Sequence, residues 1–63
     1  MKVAVILESP LLEAFSLIGA DYLYSTDEYM SVTLGNDVTM VIVAQELEKQ
    51  FNKRYPDKII VGV

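Results

Sequence analysis

Residues 11–24 read LLEAFSLIGADYLY, and within this stretch the spacing of the apolar side chains changes from a helical to an extended period. Leu11, Phe15 and Ile18 fall on one face of a helix. Gly19 stands where a residue in the left-handed conformation commonly ends a helix. The tyrosines that follow occupy alternate positions, which is typical of one face of a strand. The stretch therefore predicts a helix, a sharp stop and a strand.

The segment before this helix predicts a strand and the point where the helix begins. Residues 2–7, KVAVIL, form a continuous apolar run rich in β-branched side chains, as expected for a strand that is buried on both faces. Ser9 is a suitable N-cap, and Pro10 suits the first helical position because its missing N–H needs no partner there. We therefore expect the helix over residues 10–18.

The rest of the chain continues the alternation of strands and helices. The same reasoning predicts two further apolar strands and one amphipathic helix. The strand that contains the tyrosines is expected at a sheet edge because it is short and half polar. The predicted elements are the edge strand around 22–24, a brief helix within 27–35 capped by Thr26 or Asp27, a buried strand at 37–44, a helix at 45–55 with Leu47, Phe51 and Tyr55 on one face, and a buried strand at 58–63.

Helix-length connections between apolar strands indicate right-handed crossovers. We therefore expect one α/β domain over residues 1–63, with a small four-stranded, mainly parallel sheet and two to three short helices. Two helices of about ten residues, each about 15 Å long, are too few to cover both faces of such a sheet. Some apolar surface should therefore be exposed unless another chain covers it.

Composition excludes several classes of function. The 63 residues carry nine Asp and Glu against five Lys and Arg, a net charge of −4, whereas nucleic-acid-binding proteins cluster basic residues. The apolar runs are far shorter than the roughly 20 residues of a membrane span, and Glu8, Ser9 and Pro10 interrupt the first run too early for a signal peptide. We expect no nucleic-acid partner, no membrane insertion and a cytoplasmic location.

The sequence also offers few groups for catalysis or for cofactor binding. It contains no Cys and no His, which removes disulfides, thiolate metal ligands and imidazole acid–base chemistry. Its three glycines, at 19, 35 and 62, are too scattered for a phosphate-binding loop. We expect no catalytic residue, no metal and no cofactor. A domain this small is marginal alone, so association with another chain would add stability.

Two carboxylates and two tyrosines leave alternatives open. Glu8 and Glu46 follow predicted strands and would lie at the same sheet edge. They are either stabilising anions, with Glu8 flanking the start of one helix and Glu46 in the first turn of another, or a ligand-binding or acid–base pair. We favour the first interpretation. Tyr22 and Tyr24 would lie on one strand face, either packed against the core or exposed as interface anchors.

The pattern resembles the F subunit of the V/A-type ATPases and ATP synthases along nearly the whole chain. MKVAVI at 1–6 is similar to the first strand of that family, and AFSLIGA at 14–20 to its segment ending F-x-L-x-G. YLYSTDE at 22–28 is similar to the strand and acidic turn, VTMVIVAQELEKQF at 38–51 to the strand that enters a helix, and YPDKIIVGV at 55–63 to the strand after it. The family has a longer helix where residues 27–35 stand, usually a capping Ser or Thr near 44–45, and a C-terminal extension beyond the last strand.

The resemblance implies a non-catalytic component of a central rotor stalk, peripheral to a membrane complex, that docks on a long coiled-coil subunit. Without the extension, it implies stalk binding more than an inhibitory role. A second hypothesis is a self-associating homodimer, in which an edge strand could pair with its copy. A third is a small-ligand binder or enzyme that uses the two glutamates at the strand ends. The expected partner-binding residues are Phe15, Tyr22, Tyr24, Leu47 and Phe51.

Overall fold

A computed structural model describes residues 2–63, and their elements alternate as the sequence predicts. The α/β class and the four-stranded parallel sheet are confirmed. In chain order the elements are β1 (Lys2–Ile6), α1 (Leu11–Leu17), β2 (Tyr22–Tyr24), a 3₁₀ turn (Thr26–Glu28), β3 (Val38–Val43), a second 3₁₀ turn (Gln45–Leu47), α2 (Glu48–Arg54) and β4 (Ile59–Gly62).

The strands lie in the order β2-β1-β3-β4 and every neighbouring pair is parallel. This is the strand order of doubly wound α/β proteins, with the switch of direction between β1 and β3. Right-handed crossovers then place the connection from β1 to β2 on one face of the sheet. The two connections that run the other way, from β2 to β3 and from β3 to β4, lie on the opposite face.

The face under α2 carries the core. Side chains from alternate positions of the strands contact Leu47 and Phe51 there. The segment between β2 and β3 covers the remaining part of this face of the sheet. Phe51 is 0% exposed and is the largest fully buried side chain. The buried members of this cluster are Ala4, Ile6, Val32, Leu34, Val38, Val41, Val43, Leu47 and Phe51.

The face under α1 is covered less completely. Helix α1 spans seven residues, none of them buried, and it lies over β1 and β2. It ends at Gly19, which has φ +89°, so the predicted left-handed stop is confirmed. Within residues 2–63, α1 is the only helix that packs on this side of the sheet. The half of the sheet formed by β3 and β4 is therefore left uncovered on this side.

Three details differ from the sequence predictions. β4 was expected to be buried on both faces, but it is the second edge strand and Ile59 and Val61 are exposed on the α1 side. Pro10, not Ser9, is the N-cap of α1, and the Ser9 hydroxyl donates instead to the Glu13 carboxylate. Ser25 caps the first 3₁₀ turn, because its side chain and that of Glu28 form a reciprocal capping box.

Candidate functional site

The open half of the α1 side is the main candidate surface, and we call it the open strip. It consists of Met40, Ile42, Ile59 and Val61, which alternate along β3 and β4. The register places them in two rows across the sheet, because Met40 pairs with Ile59 and Ile42 pairs with Val61. Ile59 is 57% exposed and Val61 is 37% exposed. The surface is thus a two-strand band of apolar side chains.

Helix α1 forms one margin of the open strip. A groove of about 200 Å³ lies between them, lined by Phe15 and Ile18 of the α1 segment and by Met40 and Ile42 of β3. The end of α1 adds more apolar surface, since Leu17 is 87% exposed and Ile18 is 75% exposed. Side chains that expose this much apolar area in a small protein are typical of a surface that another molecule covers.

The structure separates the five predicted partner-binding residues. Phe15 is half-buried and lines the groove beside the open strip. Tyr22 and Tyr24 are half-buried on the opposite face, packed against the core under α2. Leu47, at 7% exposure, and Phe51, at 0%, lie inside that core. A buried side chain has no surface for a partner, so the partner-binding assignment of these two residues is corrected to a structural one.

Sequence reasoning missed the residues of the open strip itself. Their signal was present, since β3 and β4 read as apolar on both faces while the chain offered too few helices to cover them. The sequence pattern does not give the strand order. The strand order decides which side of the sheet is covered by only one helix.

On the α2 side, the hydroxyl group of Tyr22 already has a hydrogen-bond partner within the fold. Its hydroxyl donates to Asp37 Oδ2 at 2.8 Å. This hydrogen bond lowers the pKa of the Asp37 carboxyl below its ordinary value, and the backbone and the charges of Lys2 and Lys58 act in the same direction. The same bond, with the negative charge of Asp37, raises the pKa of Tyr22. The pair therefore serves to hold the edge strand against the turn before β3.

Hydrogen bonds from Arg54 attach the long connection between β2 and β3 to α2. Its guanidinium donates to the carbonyl oxygens of Tyr29 at 3.2 Å and Val32 at 2.8 Å, and to the Tyr55 hydroxyl at 3.2 Å. That hydroxyl also accepts the backbone N–H of Leu34 at 3.2 Å. These polar groups are thus engaged within the fold.

The carboxyl edge of the sheet brings the two predicted glutamates to one hollow. Glu8 and Glu46 line this space of about 260 Å³ together with Ser9 and Thr26. Residues 2–63 contain no group of three or more His, Cys, Asp and Glu side chains arranged to hold a metal ion. The Ser9 hydroxyl donates to the Glu13 carboxylate, and the sequence has no histidine that could activate this hydroxyl. The reactive groups that line the hollow are therefore carboxylates and hydroxyls.

Within residues 2–63, no helix has the length and apolar character needed to cross a membrane. Comparison with protein-family models, with curated proteins and with solved structures found no match to this chain. The open strip and the groove at its margin are therefore the features on which a functional conclusion rests.

Proposed function

We propose that this chain is a non-catalytic protein-binding module that docks on a helical partner through the open strip. The exposure of Ile59 and Val61 beside an apolar groove is the observation that supports this most directly. Removing apolar surface from water contributes roughly 25 cal/mol per Å², so covering these side chains would favour association.

The sequence resemblance to the F subunit of V/A-type rotor stalks supports the same class of function. In that setting the partner is the coiled-coil stalk subunit, and the module is a cytoplasmic component peripheral to a membrane complex. Docking of this kind requires a shaped apolar surface and no reactive group, in keeping with a sequence that has neither Cys nor His. The surface proposed here is the open strip with Phe15 at its margin, in place of the tyrosine-bearing face.

Light scattering behind size exclusion would test the proposal, with the protein alone and then mixed with a coiled-coil stalk subunit. We expect a monomer that shifts to a one-to-one complex. The double variant Ile59→Ser, Val61→Ser should abolish the shift, whereas Met30→Ser should preserve it, because Met30 is an exposed apolar residue beside Arg54 on the α2 side. A stable homodimer that ignores the coiled coil would refute the proposal and favour self-association.

A further inference from the structure

We infer that the open strip binds a single amphipathic α-helix whose apolar stripe is flanked by Lys or Arg. This inference rests on the proposed docking function and specifies the chemistry of the partner. Two independent observations carry it: the width of the open strip, and the distribution of charge between the two sides of the sheet.

The width of the open strip matches one helix. Neighbouring strands lie about 4.8 Å apart, so a band of two strands is about 10 Å wide, close to the 10–12 Å diameter of an α-helix with its side chains. Helix α1 already covers β1 and β2 on this side, so a second helix over β3 and β4 would complete the layer. Its side chains would meet the two rows that begin with Met40 and Ile42.

Helix α1 and the loops that flank it carry only acidic charges. The segment from residue 7 to residue 24, which contains α1 and both of its flanking loops, carries Glu8, Glu13 and Asp21 and has no Lys or Arg. Glu13 belongs to α1 itself, whereas Glu8 lies in the hollow at the carboxyl edge, beside Ala44 and Val63 at the ends of β3 and β4. The Asp21 carboxylate accepts the backbone N–H of Val3 at 2.8 Å. All three residues are exposed. β3 and β4 contribute no charged residue to the surface, since neither Val38–Val43 nor Ile59–Gly62 contains one. A partner with flanking cations would therefore find one carboxylate on α1 and another at the carboxyl end of the open strip, and no Lys or Arg on α1, β3 or β4.

The five basic side chains are directed to the other side. Lys49, Lys53 and Arg54 belong to α2. The Lys2 ammonium lies 5.8 Å from the centre of the Tyr22 ring, which packs against the α2-side core. The Lys58 ammonium donates to the carbonyl oxygens of Gly35 at 2.7 Å and Val38 at 2.6 Å, and lies over the Tyr55 ring. The sheet thus separates the cations from the open strip.

This charge pattern does not favour a second copy as the occupant. Two copies that meet through their open strips would bring no cation to pair with Glu8 or Glu13 of either copy, so charge would not favour the association. Helix α2 is basic, but its one apolar residue, Phe51, is buried in the core of the same molecule. The exposed positions of α2 carry only polar residues. It therefore lacks the exposed apolar stripe that the open strip would bind.

Two synthetic helical peptides with the same leucine stripe test the inference. Each has about 14 residues, long enough to span the strip at 1.5 Å per residue, and the stripe is flanked by Lys in one and by Glu in the other. Titration of the full chain by fluorescence anisotropy should give at least about tenfold tighter binding of the Lys peptide, a difference of about 1.4 kcal/mol. Raising the salt concentration should reduce that preference.

Two pairs of variants locate the binding. Ile59→Ser with Val61→Ser should weaken the Lys peptide by at least about tenfold, whereas Met30→Ser should leave its affinity unchanged. Glu13→Lys and Asp27→Lys make the same change in net charge, and both acids lie in the first turn of a short helix. Only Glu13→Lys, on the α1 side, should weaken binding.

Each contrary result has a defined meaning. Equal affinity for the two peptides would overturn the basic character of the partner, and equal loss with Glu13→Lys and Asp27→Lys would show attraction to net charge alone. Affinity that survives the Ile59 and Val61 changes would overturn the site. If neither peptide binds, the single-helix inference fails; the docking function would still stand if the same double variant abolishes the coiled-coil complex.

Discussion

Tyr22 and Asp37 join the edge of the sheet to its centre, because the tyrosine hydroxyl donates to the Asp37 carboxylate at 2.8 Å across 15 positions of sequence. Tyr22 lies on β2, the edge strand, and Asp37 immediately precedes β3. The bond therefore spans β1, which lies between these strands in the sheet. An edge strand of three residues has few ladder hydrogen bonds, so this contact is a substantial part of its attachment.

The first prediction concerns the pH dependence of stability. The folded pKa of Asp37 lies below its ordinary value of 3.8, so the contribution of the pair is present above that value and is lost as the pH falls through the folded pKa. The folded pKa of Tyr22 lies above 10.0, so the contribution is present below pH 10.0 and is lost as the pH rises through the raised value. Tyr22→Phe should lower the free energy of unfolding at pH 7.

Urea denaturation of the wild type and of Tyr22→Phe, followed by circular dichroism from pH 7 down to pH 2, would measure this effect. The difference between the two proteins should shrink as the medium becomes more acidic than pH 3.8. Tyr24→Phe is the matched control, since it removes the other tyrosine hydroxyl of β2. A difference that stays constant over the whole range would show that the Asp37 bond does not cause it.

The second prediction separates the core from the open strip. Phe51→Ala should cost about 3–5 kcal/mol because it removes a fully buried aromatic ring. A domain of this length has a total stability of a few to about 9 kcal/mol, so the variant should be largely unfolded at 37 °C. Ile59→Ser should change stability far less, by about 1 kcal/mol or below, since its side chain is already largely in water.

Thermal unfolding monitored by circular dichroism distinguishes these two variants. A folded Phe51→Ala protein with an unchanged melting temperature would contradict the position of this ring in the core. A loss of structure with Ile59→Ser as large as that with Phe51→Ala would instead mean that the open strip is covered in the free protein.

The third prediction concerns the attachment of the β2–β3 connection. Arg54→Lys keeps the charge but loses the fork of donors that contacts Tyr29, Val32 and Tyr55. We expect amide hydrogen exchange at residues 32–34 to become faster by roughly three- to tenfold, which corresponds to about 1 kcal/mol of lost protection. Lys53→Arg, the reciprocal change at the neighbouring position, should leave that exchange unaltered. Equal exchange in Arg54→Lys and the wild type would show that the guanidinium does not hold the segment.

The fourth prediction concerns the stop after α1. Gly19 has φ +89°, and an added Cβ would meet no atom within 4 Å, so the cost of a side chain there comes from the backbone alone. Gly19→Ala should therefore destabilise the protein by about 1 kcal/mol, and Gly19→Asn by less, because asparagine tolerates positive φ better. Equilibrium denaturation of both variants measures the difference. Equal stability of Ala and Gly at this position would contradict the left-handed conformation.

The sequence predicted the elements well because their signals are local. Apolar runs gave the strands, and the helical spacing that ends at Gly19 gave α1 and its stop. Two helix caps were assigned to neighbouring residues, and the larger error, the burial of β4, depends on strand order. β4 reads as a buried strand, yet it lies at an edge of the sheet with one apolar face in water, and no local pattern distinguishes these situations.

The candidate site was harder to predict for the same reason. Phe51 and Tyr22 are large and aromatic, as interface residues often are, but their positions on the α2 side commit them to the core and to its border. The sequence also could not show that Lys2 and Lys58 point away from the α1 side. Both residues adjoin strands, and only the structure places their ammonium groups on the other side of the sheet.

The all-parallel ladder has a consequence for how this chain reaches its native state. The central pairing joins Val3 to Met40, more than half of the chain away, and each edge pairing must wait for a complete crossover. Loops of this length must close before the strands gain any stabilisation, so we expect slow folding for so small a protein. During synthesis, β1 can pair with β2 but must wait for β3, its principal neighbour, to leave the ribosome. Until then β1, a central strand with three fully buried residues, has one edge free, and this interval is when the nascent chain is most exposed to aggregation.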